Sequence, residues 1–252
     1  MSPGDGRGHA LRILRAGTGE QWATYIAETL IARLQVTPSL RVCLPTGLTP
    51  VPVYERIAGA VAAGRASFAR AEVFLLDEFG GVAPDDTGRC DQMLRRDLLD
   101  RIDLPPERFH RFALDGDVDA ECGAYEQAIG SGCDLTLLGI GRNGHVGMNE
   151  PGSGPESLTR RVELAPETTA ASARYFSHDR LPTWGATMGI ATIMRSREVW
   201  LLATGTGKAP IVRRVVRDAI SPLVPATLLR SHPAAMLIAD ADASALLGDG
   251  VG

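Results

Sequence analysis

Short apolar segments alternate with segments of helical periodicity along nearly the whole chain. Strand-like segments cover residues 11–15, 40–44, 71–76, 109–112, 135–140, 161–164, 198–203 and 234–238. Helix-like segments cover residues 18–34, 53–63, 90–102, 117–129, 168–176, 186–194, 209–219 and 242–247. This alternation predicts an α/β fold with an open, mostly parallel, doubly wound (Rossmann-like) sheet and helices on both faces.

Composition and charge narrow the class of protein. Residues 1–9 are rich in glycine and polar residues and predict a disordered N-terminal extension. The remainder shows no internal repeat and no linker, so residues 10–252 are predicted to form one domain. The formal net charge of -4, without a basic run, argues against nucleic acid as a partner. No apolar segment is long enough for a membrane span and no signal peptide is visible, so we expect a cytoplasmic location.

The spacing of the cysteines and histidines limits the chemistry that they can support. The four cysteines include no Cys-x-x-Cys pair, which favours buried thiols in a reduced cytosolic protein, with a zinc site or a disulfide as alternatives. The five histidines are scattered without a His-x-x-x-His pair, so no metal site is predicted. A serine hydrolase is not indicated, because no Gly-x-Ser-x-Gly motif is present.

Four of the predicted strands end in unusual segments. These segments are Thr46-Gly47-Leu48-Thr49, Asp77-Glu78, Gly141 to Glu150, and Thr204 to Lys208. Because the carboxyl ends of parallel strands meet at one edge of a sheet, we expect the four segments to line one crevice. The two Thr/Gly segments each precede a helix, where backbone N–H groups bind anions, and they indicate a phosphate site; plain turns are the alternative. Neither matches a Walker or dinucleotide motif.

The third segment carries groups for proton transfer. An isolated histidine is more often structural, but His145 is followed closely by Glu150 in a glycine-rich loop. A carboxylate holds an imidazole in one tautomer and stabilises its protonated form, which favours an acid/base role. Asp77 taken alone fits a helix cap or a surface carboxylate as well as it fits a functional group.

Several longer segments resemble glucosamine-6-phosphate deaminases, within a wider group that includes 6-phosphogluconolactonases. The resemblance extends from about residue 11 to residue 247 and is carried by residues 44–50, 76–79, 139–151, 172–176, 205–209 and 231–233. The most specific part is Gly144-His145-Val146-Gly147-Met148-Asn149-Glu150-Pro151, because the lactonases share the Gly-His pair but lack Asn-Glu-Pro. The deaminase branch is therefore favoured.

The resemblance implies an aldose–ketose isomerisation with loss of ammonia, from glucosamine 6-phosphate and water to fructose 6-phosphate, without a metal or organic cofactor. His145 would move the ring-opening proton, oriented by Glu150, and Asp77 would carry the proton from C2 to C1. The phosphate would be bound by the segment after the second strand and by two cations: Thr46, Gly47, Leu48, Thr49, Arg174 and Lys208. Arg174 would lie on a mobile lid. Expected partners are the amino sugar phosphate and, as a possibility, further copies of the chain, without nucleic acid or membrane.

Three departures from the family pattern affect these expectations. Asn143 stands where an aspartate is common; we predict that its amide accepts a hydrogen bond from the imidazole. Arg89-Cys90 replaces Ser-Tyr, which predicts a cation and a thiol in the sugar-binding wall and leaves the accepted epimer open. Val162 replaces a lysine of an allosteric site, so we expect no activation by N-acetylglucosamine 6-phosphate.

Two alternative functions stay open: a lactonase that uses His145 to activate water, and a non-catalytic sugar-phosphate sensor.

Overall fold

The computed structural model describes residues 11–177 and 180–248. The predicted extension at residues 1–9 lies outside the described residues. Strands are β1 (Arg12–Arg15), β2 (Arg41–Leu44), β3 (Glu72–Leu75), β4 (Asp77–Phe79), β5 (Phe109–His110), β6 (Leu135–Gly139), β7 (Arg160–Glu163), β8 (Trp184–Thr187), β9 (Glu198–Ala203) and β10 (Ala235–Ala239). Helices are α1 (Gly19–Val36), α2 (Val51–Ala62), α3 (Cys90–Asp97), α4 (Val118–Ile129), α5 (Pro166–Ser172), α6 (Ile190–Met194) and α7 (Ala209–Arg217).

Short 3₁₀ helices complete the secondary structure. They cover Leu99–Arg101, Pro106–Arg108, Ala173–Tyr175, Thr206–Lys208 and Pro225–Ser231. Two of them follow α-helices that end earlier than the sequence predicts. The helix predicted for residues 90–102 ends at Asp97 before a 3₁₀ turn, and that predicted for residues 168–176 is α5 followed by another.

The main sheet has the strand order β1-β10-β9-β6-β2-β3-β5, and every pair in it is parallel. The chain winds outward from β2 to β3 and β5, returns to β6 beside β2, and winds outward again through β9 and β10. The strand order therefore reverses between β2 and β6, where an open α/β sheet forms its ligand crevice. The predicted fold class is confirmed. That residues 10–252 form one domain stays a prediction.

Buried apolar faces explain why the helices cover the sheet. The α1 helix buries Trp22, Ile26 and Leu30 at helical spacing, and Thr18 forms a capping box with Gln21 at its start. Asp117 caps α4 by accepting from two backbone N–H groups. The central strands are buried along most of their length, as expected for a sheet covered on both faces.

A second sheet was not predicted. Strands β4, β8 and β7 form an antiparallel sheet in which Asp77 pairs with Thr187. The short helix predicted for residues 186–194 is wrong for its first part, because the chain is extended in β8 and turns helical only after Gly189. A side chain at Gly185 would collide with Met148 and with the carbonyl of Glu78, so this strand relies on a small residue. The helix predicted for residues 242–247 is also wrong, since that segment forms turns.

Candidate active site

A cavity of about 1000 Å³ opens at the carboxyl edge of the main sheet, around the point where the strand order reverses. Its walls come from all four segments that the sequence selected, and from the α5 region above them. Nine predicted site residues line it: Thr46, Gly47, Leu48, Thr49, Asp77, Asn143, His145, Arg174 and Lys208. The tenth, Glu150, lies behind His145 and contacts the imidazole from the protein side.

The loop after β6 fixes the imidazole of His145. The ring packs flat against Gly141, where an added Cβ would lie 2.2 Å from the ring carbon Cε1, so only glycine fits. Nδ1 lies 3.5 Å from Oε2 of Glu150 and 3.3 Å from the hydroxyl of Thr168. No side chain of the described residues hydrogen-bonds Nε2, which leaves that nitrogen for a ligand.

Glu150 is held in its ionised form. Burial alone raises the pKa of this carboxyl, but hydrogen bonds from His145 and Thr168 outweigh burial and bring the pKa to about 2. The carboxylate is therefore negative throughout the physiological pH range and stabilises a positive charge on His145. Thr168 was not selected from the sequence, because a single threonine in a helical segment gives no signal of its own.

The amide of Asn143 contacts Glu150 and the backbone of His145, and not the imidazole ring as predicted. Its Oδ1 accepts from the backbone N–H of His145 at 3.1 Å, and its Nδ2 donates to Oε2 of Glu150 at 2.8 Å. The predicted hydrogen bond from the imidazole ring to this amide is therefore wrong, because both amide ends are engaged elsewhere. Asn143 orients the carboxylate and the loop rather than the ring itself.

Asp77 begins β4 and faces the same cavity. Burial raises the pKa of its carboxyl to about 6, although a hydrogen bond from the thiol of Cys90 and the charge of His145 act in the opposite direction. A Cβ added at Gly147, in the His145 loop, would lie 3.4 Å from Oδ2 of Asp77, so the two segments meet closely. A carboxyl with a pKa near neutral exchanges protons readily and suits a general base.

The opposite end of the cavity is built to attract an anion. Residues 46–49 connect β2 to α2, and α2 begins without a side-chain cap, which leaves its first N–H groups available. Lys208 points inward and donates to the carbonyl of Ile140 at 2.6 Å. Burial lowers the pKa of Lys208, and the neighbouring charges of Arg142 and Arg174 lower it further. Like charges so close together indicate a subsite for a multivalent anion.

Tyr175 lines this end of the cavity, and Asp240 supports it from behind. The hydroxyl of Tyr175 lies 2.8 Å from the position of a Cβ on Gly47, and it contacts the backbone N–H of Leu48. Asp240 is buried after β10 and accepts from the hydroxyl of Thr204 at 2.5 Å and from the N–H of Gly205. A carboxylate directly after a strand is the one sequence feature that points to Asp240.

Arg89 does not belong to the sugar-binding wall. Its guanidinium is buried beneath the cavity, with Nε 3.5 Å from Glu78 and 3.3 Å from Asp91. Glu78 in turn accepts from the N–H groups of Cys90 and Asp91 and so caps α3. The prediction that a cation lines this wall is wrong, because two buried carboxylates draw Arg89 inward. Only the thiol of Cys90 reaches the cavity.

Similarity to known proteins identifies the family. The model of the family of glucosamine-6-phosphate isomerases and 6-phosphogluconolactonases matches residues 15–238. The chain belongs to this family. It is 39% identical to a glucosamine-6-phosphate deaminase of Geobacillus sp. (strain WCH70), covering 95% of this chain and 97% of that protein. It is 40% identical to one of Hahella chejuensis (strain KCTC 2396), covering 94% and 92%.

Solved structures support the same placement. A monomeric glucosamine-6-phosphate deaminase is 34% identical and superposes with a TM-score of 0.89, over 94% of this chain and 100% of the other. The 6-phosphogluconolactonase of Trypanosoma brucei is 20% identical with a TM-score of 0.73, over 95% and 100%, and shows the shared fold alone. The deaminase branch of the family is therefore the nearer of the two.

The described residues were also compared with the requirements of a membrane span and of a metal site. None of the helices in residues 11–177 and 180–248 has the length and apolarity that a membrane crossing requires. Across the same residues, no three histidine, cysteine or acidic side chains gather as metal ligands. All four cysteines are buried free thiols, so the alternative of a disulfide among them is wrong.

Proposed function

We propose that the chain catalyses the conversion of glucosamine 6-phosphate and water to fructose 6-phosphate and ammonia. The observation that carries this proposal is the placement of Asp77 and the His145–Glu150 pair in one cavity that ends in an anion subsite. The relatives named as glucosamine-6-phosphate deaminases, at 39% and 40% identity, support it.

Ring opening is the first step of the proposed reaction. With Nδ1 turned toward Glu150 and Thr168, Nε2 of His145 takes the proton from the anomeric hydroxyl and returns it to the ring oxygen. The ionised Glu150 stabilises the imidazolium that exists between the two transfers. The product is the open-chain aldehyde.

Isomerisation and deamination follow. Asp77 removes the proton from C2 while His145 passes a proton from the substrate's ammonium group to O1, which gives a neutral enolamine. Asp77 then delivers its proton to C1, so that the nitrogen-bearing C2 becomes an iminium carbon. Water adds to this carbon, and the C2–N bond breaks as ammonia leaves, which gives the ketose. The reacting sugar stays in place because its phosphate is bound by residues 46–49, Arg174 and Lys208. A carboxylate and an imidazole supply every proton transfer, so the proposed steps call for neither a metal nor an organic cofactor.

The finer assignments are part of the same proposal. We infer cytoplasmic action in amino sugar breakdown, such as the catabolism of N-acetylglucosamine, because the substrate is a phosphorylated intermediate. A solved relative is described as monomeric, so we propose that catalysis needs no second copy. Size-exclusion chromatography with activity measured across the peak checks this point.

A substrate panel tests the function. Purified protein is incubated with the 6-phosphates of glucosamine, galactosamine and mannosamine, and both ammonia and ketose phosphate are measured. We expect equal amounts of the two products from glucosamine 6-phosphate. Ammonia from another epimer only would correct the substrate, and binding without turnover would indicate a sensor.

Two variants separate deamination from lactone hydrolysis. Asp77→Asn removes the base for C2, and His145→Gln removes the imidazole that both reactions use. A deaminase loses turnover in both variants. Hydrolysis of 6-phosphogluconolactone that survives in Asp77→Asn and disappears in His145→Gln would refute the proposal in favour of a lactonase.

A further inference from the structure

Three cations surround the anion subsite without ionic partners. Among residues 11–177 and 180–248, Arg142, Arg174 and Lys208 line the cavity and none forms an ion pair. Lys208 and Arg174 donate to main-chain carbonyls, of Ile140 and Ala171 respectively. Glu167 also lines the cavity, but it pairs with none of them. Such a concentration of unpaired positive charge is costly in the empty site and favourable once an anion binds.

Arg142 is the least constrained of the three. It follows Gly141 at the end of β6, between the loop after β2 and the loop after β9. Its guanidinium reaches over Gly207, where an added Cβ would lie 3.9 Å from Nη2. No hydrogen bond joins Arg142 to any other described residue, so the side chain is free to turn toward a ligand.

The chemistry of the guanidinium suits a phosphate dianion. Arg presents a planar fork of N–H donors that matches two oxygens of one phosphate, whereas Lys offers a point charge. Lys208 is already held by the carbonyl of Ile140 and approaches from the side of the same loop. Ile140 occupies one donor of Lys208, whereas no described residue hydrogen-bonds Arg142, so the whole guanidinium fork is open to an anion in the cavity.

We propose that Arg142 is a phosphate-binding residue that, together with Arg174 and Lys208, selects phosphorylated over unphosphorylated amino sugars. The inference rests on the proposed function for the identity of the sugar, and on the geometry of the cavity for the phosphate. The lowered pKa of Lys208, caused first by burial and then by the charges of Arg142 and Arg174, agrees with this proximity.

The test compares three variants of the full chain. Arg142→Gln removes the charge, Arg142→Lys keeps the charge but loses the fork, and Arg197→Gln removes an exposed surface arginine outside the cavity as a matched control. Inorganic phosphate is the probe, with its Kd measured by calorimetry on the unmodified enzyme and on each variant. We expect Arg142→Gln to weaken phosphate binding by about tenfold, Arg142→Lys by less, and Arg197→Gln not at all.

Kinetics give a second, separate readout. With glucosamine 6-phosphate, Arg142→Gln is expected to raise KM by about tenfold with little change in kcat, while the rate with unphosphorylated glucosamine stays unchanged. An unaltered phosphate Kd in Arg142→Gln, or no phosphate binding by the unmodified enzyme, would overturn the assignment. If no amino sugar phosphate is turned over and phosphate binding still depends on Arg142, the proposed function fails and the phosphate assignment stands.

Discussion

The buried carboxyl of Asp77 is expected to serve catalysis while lowering the stability of the folded protein. Its side chain is only 9% exposed, and burial raises the pKa of its carboxyl from 3.8 to about 6. Because the folded protein favours the neutral form, ionising Asp77 destabilises the folded state. Replacing Asp77 by Asn removes this ionisation while keeping the size of the side chain, so we expect a variant that is inactive and more stable.

The size and pH dependence of the gain follow from the two pKa values. A rise from 3.8 to about 6 corresponds to roughly 3 kcal/mol at full ionisation. An acid whose folded pKa is raised costs nothing below its unfolded pKa, and the cost grows as pH rises through the window between the two values. We therefore expect Asp77→Asn to gain up to about 3 kcal/mol at pH 8, about half of that at pH 5, and little at pH 4.

Urea denaturation at pH 8, 5 and 4, followed by circular dichroism, measures the free energy of unfolding for both proteins. Asp115→Asn serves as the matched control, because Asp115 is exposed, and its effect should be near zero at each pH. The same pKa predicts that kcat/KM of the unmodified enzyme falls as pH drops through about 6. A loss of stability in Asp77→Asn at pH 8, or a gain that does not depend on pH, would refute the argument.

Three other expectations concern substrate binding and regulation. Tyr175→Phe removes the hydroxyl that accepts from the N–H of Leu48 and would compete there with the phosphate of the proposed substrate, so KM should fall about twofold at constant kcat; a higher KM would show that the phenol binds substrate. Asn143→Asp replaces the amide donor to Glu150 with a second anion and should raise the pKa that governs ring opening, and an unmoved pH–rate profile would count against it. The family resemblance places an allosteric lysine where this chain has Val162, so rate curves should be hyperbolic and unchanged by N-acetylglucosamine 6-phosphate.

The main sheet was predictable because its strands are short, apolar and buried. Runs such as residues 135–140 and 198–203 permit few other structures, and the glycine-rich segments after them mark the crevice edge. The antiparallel sheet was not predictable in this way. Its strand β8, Trp184–Thr187, is four residues long and contains Gly185, so nothing in its local pattern separates a strand from the start of a helix.

The residues of the site were likewise predictable only in part. Loops that follow central strands are brought together by the sheet itself, so the positions of Asp77, His145 and Lys208 around one cavity could be expected from their order in the chain. Thr168 and Tyr175 lie in the α5 region, and the position of this region over the cavity depends on tertiary packing. Their roles depend on distances that no local pattern encodes.

Arg89 shows why a substitution in a sequence motif does not identify the group that faces the substrate. Together with Cys90 it suggested a positively charged wall, yet the guanidinium turns to the buried carboxylates of Glu78 and Asp91. A charge is far more expensive to bury alone than in a pair, so two buried carboxylates decide the direction of the side chain. The wall at this position is therefore a neutral thiol, because burial raises the pKa of Cys90 well above its usual value. Since Cys90 also hydrogen-bonds the carboxylate of Asp77, any change in sugar preference caused by this position should be accompanied by a change in the pKa of the base.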